Sequence, residues 1–381
     1  MLFVKVDRQN RRDFIKLTSG LSAGLSTLSL LSSCASVDDY LFTDPPSLED
    51  HVLIVGGGIS GLYAGYQLKK RKVPYRIFEA SNRLGGQILA DGKIEYGAFE
   101  FSNEDTSLLK LCKELNIETE KLDQKNWTFK QGSEIFLSQL VGSVVGLLPD
   151  RQIRLRHRLL GMDVSKKQIR LTFLNEKNQS KSYTTHKAVI ALPVQNLMNL
   201  ENFVRSDLEL GLTNEKVIRV VLPAIKSWVK PLSKPLVKSL ALLEKKQKIT
   251  REAQGLSYEL LQNKGQLYIT LWSKGAVPEQ FPQSLESLEN FIAQEVLGQS
   301  TIEAKNKIVL KPENVYDWST HPTIRISSMN QSIADKSWPL SEYMSAGTQR
   351  PVLIASDGLV RPVHRVESLL RIIDAQIDHF I

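Results

Sequence analysis

One short stretch limits what this chain can fold into. Gly56-Gly57-Gly58-Ile59-Ser60-Gly61 is a glycine-rich turn. His51 to Val55 reads as an apolar strand before it. Gly56 to Lys70 reads as turn and then helix, with Leu62, Ala64 and Leu68 on helical spacing, and Tyr75 to Phe78 as a second strand ending at Glu79. Strand, helix and strand over about 30 residues make a βαβ unit, and such crossovers build parallel sheets. G-x-G-x-x-G between a strand and a helix, with Glu79 standing 18 residues past Gly61, is a dinucleotide fingerprint. Gly56 permits the tight turn, Gly58 lets backbone approach a pyrophosphate, and Gly61 lets helix and strand pack closely. The helix N-terminus offers N–H donors to the phosphates. Glu79 accepts from ribose hydroxyls, which favours an unphosphorylated ribose over NADP.

Composition excludes several other classes. Hydrophobic residues make up 42% and charged residues 24% of 381, which fits a globular chain of two to three domains. Two cysteines build neither a disulfide framework nor a four-thiolate zinc site, and the six histidines lack metal-ligand spacing, so no metal is expected. The net charge is +8, of which the first 33 residues, with five Lys/Arg and two Asp, carry +3. The remaining +5 over 348 residues gives no basis for nucleic acid binding.

Those first residues read as an address. Arg11-Arg12-Asp13-Phe14 precedes a Ser-diluted apolar stretch, Leu17 to Leu31, which is shorter than a membrane span and leads to Leu31-Ser32-Ser33-Cys34. The arrangement resembles a twin-arginine signal peptide, with Asn10 where that motif usually has Ser or Thr. The Leu-Ser-Ser-Cys end resembles a bacterial lipobox. The resemblance implies removal of residues 1–33, acylation of Cys34, a polar tether over 34–49, and a protein held on the periplasmic side of the cell envelope. Lipid anchoring of this kind is stable with two chains.

Downstream, Thr106 to Leu115 reads as a helix and residues 153–176 as antiparallel strands. Further strands are expected at Ala188 to Leu192, Lys216 to Leu222, Gln266 to Trp272 and Pro351 to Ala355, and a terminal helix at Arg365 to Phe380. Past Glu79 the chain continues Ala80-Ser81-Asn82-Arg83-Leu84-Gly85-Gly86-Gln87. A second glycine pair beyond the ribose carboxylate brings backbone close to a cofactor again, which NAD sites do not need. Here the sequence resembles the flavin-dependent amine oxidases, a family that includes monoamine and polyamine oxidases. Tyr96-Gly97-Ala98, Ala191-Leu192-Pro193, Tyr316-Asp317-Trp318 and Ala355-Ser356-Asp357 carry the resemblance along most of the chain.

The resemblance implies noncovalent FAD, since no Cys stands near the C-terminal segment. It adds Ile59, Ser60, Ala80, Arg83, Gly85, Gly86, Gln87, Leu159, Asp357 and Val366 to the cofactor set of Gly56, Gly58, Gly61 and Glu79. It further implies a doubly wound α/β FAD-binding domain of Rossmann type, from residues 50–100, 150–205 and 345–381. This domain is interleaved with an α+β substrate domain from 101–149 and 206–344. The expected activity is oxidation of a small-molecule amine or other activated C–H donor, with an electron acceptor that no motif identifies. The chain departs from the family at Gln87, where an Arg is usual, at Ser356, and at Ser368, Leu369 and Ile373, where small residues are usual.

Two stretches have two readings each. Lys216 is either a solvated strand end or the lysine that, by the resemblance, holds a water at flavin N5. Between Glu215 and Arg251 there are ten Lys/Arg and two Glu, either a solvated helix face or a basic surface for anionic headgroups. The chain as a whole also has two: an enzyme, or a flavin-fold lipoprotein serving as a non-catalytic binding or assembly module.

Overall fold

A computed structural model describes residues 48–92, 94–123, 125–145, 152–165, 168–200, 212–214, 216–223, 248–253, 256–273, 281–296, 310–318, 327–329, 352–355 and 366–381. The signal peptide, Cys34, the tether up to residue 47, the basic stretch 224–247, Ser356 and Asp357 lie outside the described residues; the last tether residues are described, and Leu48 is buried in the core of the first unit and not part of a polar tether. The chain forms two compact units. One holds the described residues up to Gly86 with Leu137–Glu209 and Lys336–Ile381; the other holds Gln87–Phe136 and Leu210–Asp335.

The first unit is built on a parallel sheet. Its strands are β1 (Val52–Val55), β2 (Tyr75–Phe78), β3 (Ile153–Arg154), β7 (Lys187–Ile190) and β8 (Val352–Ile354), ordered β8-β7-β1-β2-β3. Every neighbouring pair is parallel, with Leu53 opposite both Ala188 and Arg76. β1, β2 and β8 are buried at every position, as strands covered on both faces must be. Counting only the parallel strands, the order is 3-2-1-4-5, as in the doubly wound dinucleotide-binding fold.

Side chains alternate across this sheet. Leu53, Val55 and Phe78 face a three-stranded antiparallel layer of β4 (Arg158–Val164), β5 (Ile169–Leu174) and β6 (Ser180–Thr185). Phe78 stacks on Phe173 at 4.4 Å and tilts against Tyr183 at 5.0 Å. Ile54 and Ile77 face the other way, toward α1 (Ile59–Lys70). Beside α1 runs α2 (Val366–Phe380), whose buried Leu369, Leu370, Ile373 and Ile377 fall on helical spacing. Tyr63 Oη of α1 donates to Asp374 of α2 at 2.6 Å, and Gln67 Nε2 bridges both. Leu369 and Ile373 therefore serve the protein's own packing.

One expectation is corrected here. Residues 153–176 are not all antiparallel: Ile153 and Arg154 join the parallel sheet beside Ile77 and Phe78, and the antiparallel layer begins at Arg158. The turn between them is tight, with Arg156 at φ 57°.

The second unit holds a five-stranded antiparallel sheet in the order 249–253, 256–263, 266–272, 217–223, 315–317. Lys264 (φ 48°) and Gly265 (φ 77°) make the two-residue hairpin turn that joins its second and third strands. Ile218, Val220, Leu260 and Ile269 face the helical segment carrying Leu288, Phe291 and Ile292. Val221, Leu261 and Tyr268 pack against Leu89, Tyr96, Phe99 and Leu122. That second packing draws residues 87–99 into this unit. At the other limit, Tyr75 donates to the Val144 carbonyl at 2.5 Å, which ties residues before 150 into the first.

At the edge of this sheet the Lys248 ammonium bridges two carboxylates, Glu100 of a neighbouring strand pair at 2.7 Å and Glu259 of the sheet itself at 2.8 Å. Burial raises the Glu259 pKa and the Glu100 charge raises it further. Burial works against the Lys248 charge, but its two carboxylate partners outweigh this and raise its pKa. Because Glu259 has a raised folded pKa, its contribution to stability is fully present below the unfolded value and is lost as pH rises through the folded one. Lys248→Met leaves the two carboxylates facing each other. Urea unfolding should show a loss of about 3 kcal/mol at pH 7.5, shrinking at lower pH, where the raised Glu259 carboxyl takes up a proton. A loss that does not change with pH would show that the ammonium does not offset the carboxylates.

Candidate dinucleotide-binding site

The fingerprint turn links β1 to α1, and each of its glycines meets a different demand. Gly56 sits at φ 105°, and a Cβ there would stand 2.3 Å from the Ala191 carbonyl oxygen. A Cβ on Gly61 would stand 1.9 Å from the Gly56 carbonyl oxygen. Both positions are closed by the protein's own backbone. Gly58 differs: its φ of −73° suits any residue, and a Cβ there would meet only the Gly86 Cα, at an ordinary 3.7 Å. The described chain does not by its own packing require glycine at 58.

The N-terminus of α1 opens on that side. Gly58 caps the helix without a side-chain bond, no acidic residue stands in the first turn, and the first helical bond runs from Leu62 N–H to the Gly58 carbonyl. The N–H groups of the first turn thus have no capping side chain, which suits an anion. Ile59 and Ser60 are buried in this turn.

Glu79, at the end of β2, accepts from Gly57 N–H at 2.6 Å through one carboxylate oxygen and from Ser81 N–H at 2.7 Å through the other. Its own backbone is held by β3 and the turn beyond: Glu79 N–H donates to the Arg154 carbonyl, and His157 N–H donates to the Glu79 carbonyl. Each carboxylate oxygen keeps a free acceptor direction after one backbone bond.

The second glycine pair lies against the first. Gly85 N–H donates to the Gly57 carbonyl at 2.8 Å, and Gly58 and Gly85 form a parallel bridge. Both Gly85 (φ 102°) and Gly86 (φ 56°) are left-handed, and a Cβ on Gly86 would come within 3.0 Å of the Gly58 Cα. The sequence singles out Gly56, Gly58 and Gly61, but Gly57 is the residue pinned on both sides of its peptide. Its nearest signal in the sequence is the carboxylate 22 positions on.

Seven expected cofactor residues, Gly56, Gly58, Gly61, Glu79, Arg83, Gly85 and Gly86, are thus brought together with Ile59, Ser60 and the half-buried Ala80. Leu159 places its side chain in the core beside Phe78 and Phe173, leaving only backbone for a ligand. Val366 opens α2. Gln87 belongs to the second unit, where its carbonyl accepts from Ala98 N–H at 2.9 Å. Lys216 also lies in that unit. Its ammonium stands 4.7 Å from the Phe281 ring centroid and donates to Gln283 Oε1 at 3.2 Å. Cys112 is buried in a helix, and burial pushes its thiol up to about 12, which makes it inert. Among the described residues no group of His, Cys, Asp and Glu could hold a metal, and no helix is long and apolar enough to cross a membrane.

Known proteins share these features. A family profile described as an NAD(P)-binding Rossmann-like domain matches residues 54–115. L-amino-acid oxidase of Mus musculus is 29% identical over 143 residues, which cover 33% of this chain and 22% of that protein. Flavin-containing amine oxidase A of Canis lupus familiaris is 34% identical over 85 residues, 20% of this chain and 16% of that one. The matched stretches thus span about a fifth of the curated relatives. A putrescine oxidase structure superposes with a TM-score of 0.58 at 12% identity, covering 87% of this chain and 99% of that one. A CLA-producing fatty acid isomerase from P. acnes does so with a TM-score of 0.58 at 10% identity, with the same two coverages. The chain carries a Rossmann-like dinucleotide-binding fold of the kind found in the amine oxidase type of flavoprotein.

Proposed function

We propose that the chain is an FAD-dependent oxidoreductase of the amine oxidase type, acting on an amine or another activated C–H donor. The carrying observation is Gly58, the fingerprint glycine at which the protein could hold a Cβ in ordinary contact with Gly86, beside an uncapped helix N-terminus. Bound FAD supplies the hydride acceptor. The chain's own residues bind and orient it. Backbone at Gly58 and Gly86 comes close to the pyrophosphate, and the first turn of α1 faces its charge. Glu79 offers its remaining lone pairs to ribose hydroxyls, which selects FAD over a 2′-phosphorylated dinucleotide. Binding is noncovalent. The amine class is supported by the sequence likenesses to L-amino-acid oxidase and amine oxidase and not by the fold, since a fatty acid isomerase shares the fold without sharing that chemistry.

Lys216 holds and orients a water for the reaction, with Phe281 and Gln283 fixing its ammonium. A second reading, a non-catalytic binding or assembly module, is favoured by Gln87 and by that same engagement of Lys216 with protein partners. Stopped-flow reduction and reoxidation of the flavin, at matched flavin content, separates the two. Lys216→Met should keep FAD and slow at least one half-reaction by about tenfold or more. Equal rates in both would return Lys216 to a structural role and make the module the better account.

We propose further that the protein is exported by the twin-arginine route and held in the cell envelope by acylated Cys34. Folded export suits a protein that takes up its cofactor in the cytoplasm. Cys34→Ser should release the protein from the membrane fraction or leave it unprocessed, and Arg11→Lys with Arg12→Lys should keep it in the cytoplasm. Fractionation that finds the double variant exported normally would point to the general secretory route.

A further inference from the structure

Arg83 has the charge to bind a phosphate, but the structure turns it onto its own loop. Its Nη2 donates to the Gly86 carbonyl at 2.7 Å and its Nη1 to the Leu84 carbonyl at 3.2 Å. Ser81 Oγ donates to the Arg83 carbonyl at 2.7 Å and holds the base of the same turn. These two carbonyls flank two successive left-handed glycines, Gly85 and Gly86. Glycines lose more conformational freedom on ordering than any other residue, so a turn of this kind is loose unless something holds it. A planar guanidinium fork can serve two carbonyls at once in a fixed geometry, which a lysine ammonium cannot reproduce.

The held turn is also one wall of the site. Gly85 N–H bonds to the Gly57 carbonyl, and Gly86 lies directly over Gly58. The Leu84 side chain closes over Gly57, where a Cβ would meet its Cδ2 at 2.5 Å. The position of Gly86 therefore sets how the backbone at Gly58 is covered. We propose that Arg83 is a positioning residue for the dinucleotide: it locks the Leu84–Gly86 turn against the fingerprint turn and so fixes the backbone that the pyrophosphate would lie against. This deepens the FAD reading and rests on it for ligand identity. The clamp itself can be tested without ligand.

The test compares full-chain wild type, Arg83→Lys and Arg83→Met by amide hydrogen exchange before FAD is added, and then by FAD titration at two salt concentrations. Both variants should exchange the Gly85 amide about tenfold faster or more, with β4–β6 amides unchanged as a control for the fold. Both should bind FAD about tenfold more weakly with the wild-type salt dependence, because no phosphate contact is lost. Wild-type exchange at Gly85 with weaker, less salt-dependent FAD binding would overturn the proposal and make Arg83 a direct phosphate ligand. Faster exchange with unchanged FAD affinity would also overturn it, leaving Arg83 a purely structural clamp. A wild type that takes up no FAD would remove the cofactor reading, while the exchange result would still decide the clamp.

Discussion

The first unit depends on the closeness of α1 to β1 at one point. A Cβ on Gly61 would stand 1.9 Å from the Gly56 carbonyl oxygen and 3.3 Å from Ile54, so only glycine lets the helix start where it does. A second close approach follows one turn on, where a Cβ on Gly65 would come within 3.2 Å of Ile77, Tyr75 and Val144. These contacts seat the helix along the central strand of the parallel sheet. Because β1 is central, with β2 on one side and β7 on the other, the turn at its end opens at the point where the strand order reverses. That is where open α/β sheets bind ligands.

From that constraint the site is assembled mostly with backbone. Gly57 is held by its N–H to Glu79 and by its C=O to Gly85 N–H. The two charged side chains of the region, Glu79 and Arg83, both act on peptide groups, one as acceptor and one as donor. Charge-assisted bonds of this sort are stronger than neutral ones, so two turns that hold Gly56, Gly57, Gly58, Gly85 and Gly86 are kept in one arrangement without a packed core of their own. The frame does not choose a reaction. An amine oxidase and a fatty acid isomerase share it at similar overlap, so the chemistry is proposed from the sequence likeness and Lys216, and not from the fold.

Much of the first unit was legible because the main strands of its parallel sheet are short, mostly apolar runs, broken only by Arg76 and Lys187. VLIV, YRIF, KAVI and VLI are each short, β-branched or aromatic, and bounded by turn residues. The strand SKSYTT at Ser180–Thr185 was not, since only Tyr183 and Thr185 of it are buried. Leu256–Asn263 escaped for the opposite reason: it is buried on both faces and shows no alternation. The helix Ser133–Val144 is apolar on too many sides to show one stripe. At the site, glycine spacing and the acidic residue after β2 carried the reading. What spacing does not reveal is which backbone donor meets a carboxylate, or that Phe281, 65 positions on, lies under the Lys216 ammonium. Those depend on side-chain directions fixed by tertiary packing.

The central claim is that the protein itself does not need glycine at 58 and that a dinucleotide does. The same substitution at two glycines of one motif tests it: Gly58→Ala and Gly61→Ala, each measured for urea stability and for FAD affinity by titration. The account predicts that Gly61→Ala loses about 3 kcal/mol or more of stability, because its Cβ has backbone in its way. It predicts that Gly58→Ala stays within about 0.5 kcal/mol of wild type while FAD affinity falls by about tenfold or more. Wild-type FAD affinity in Gly58→Ala, or an equal loss of stability in both variants, would contradict it.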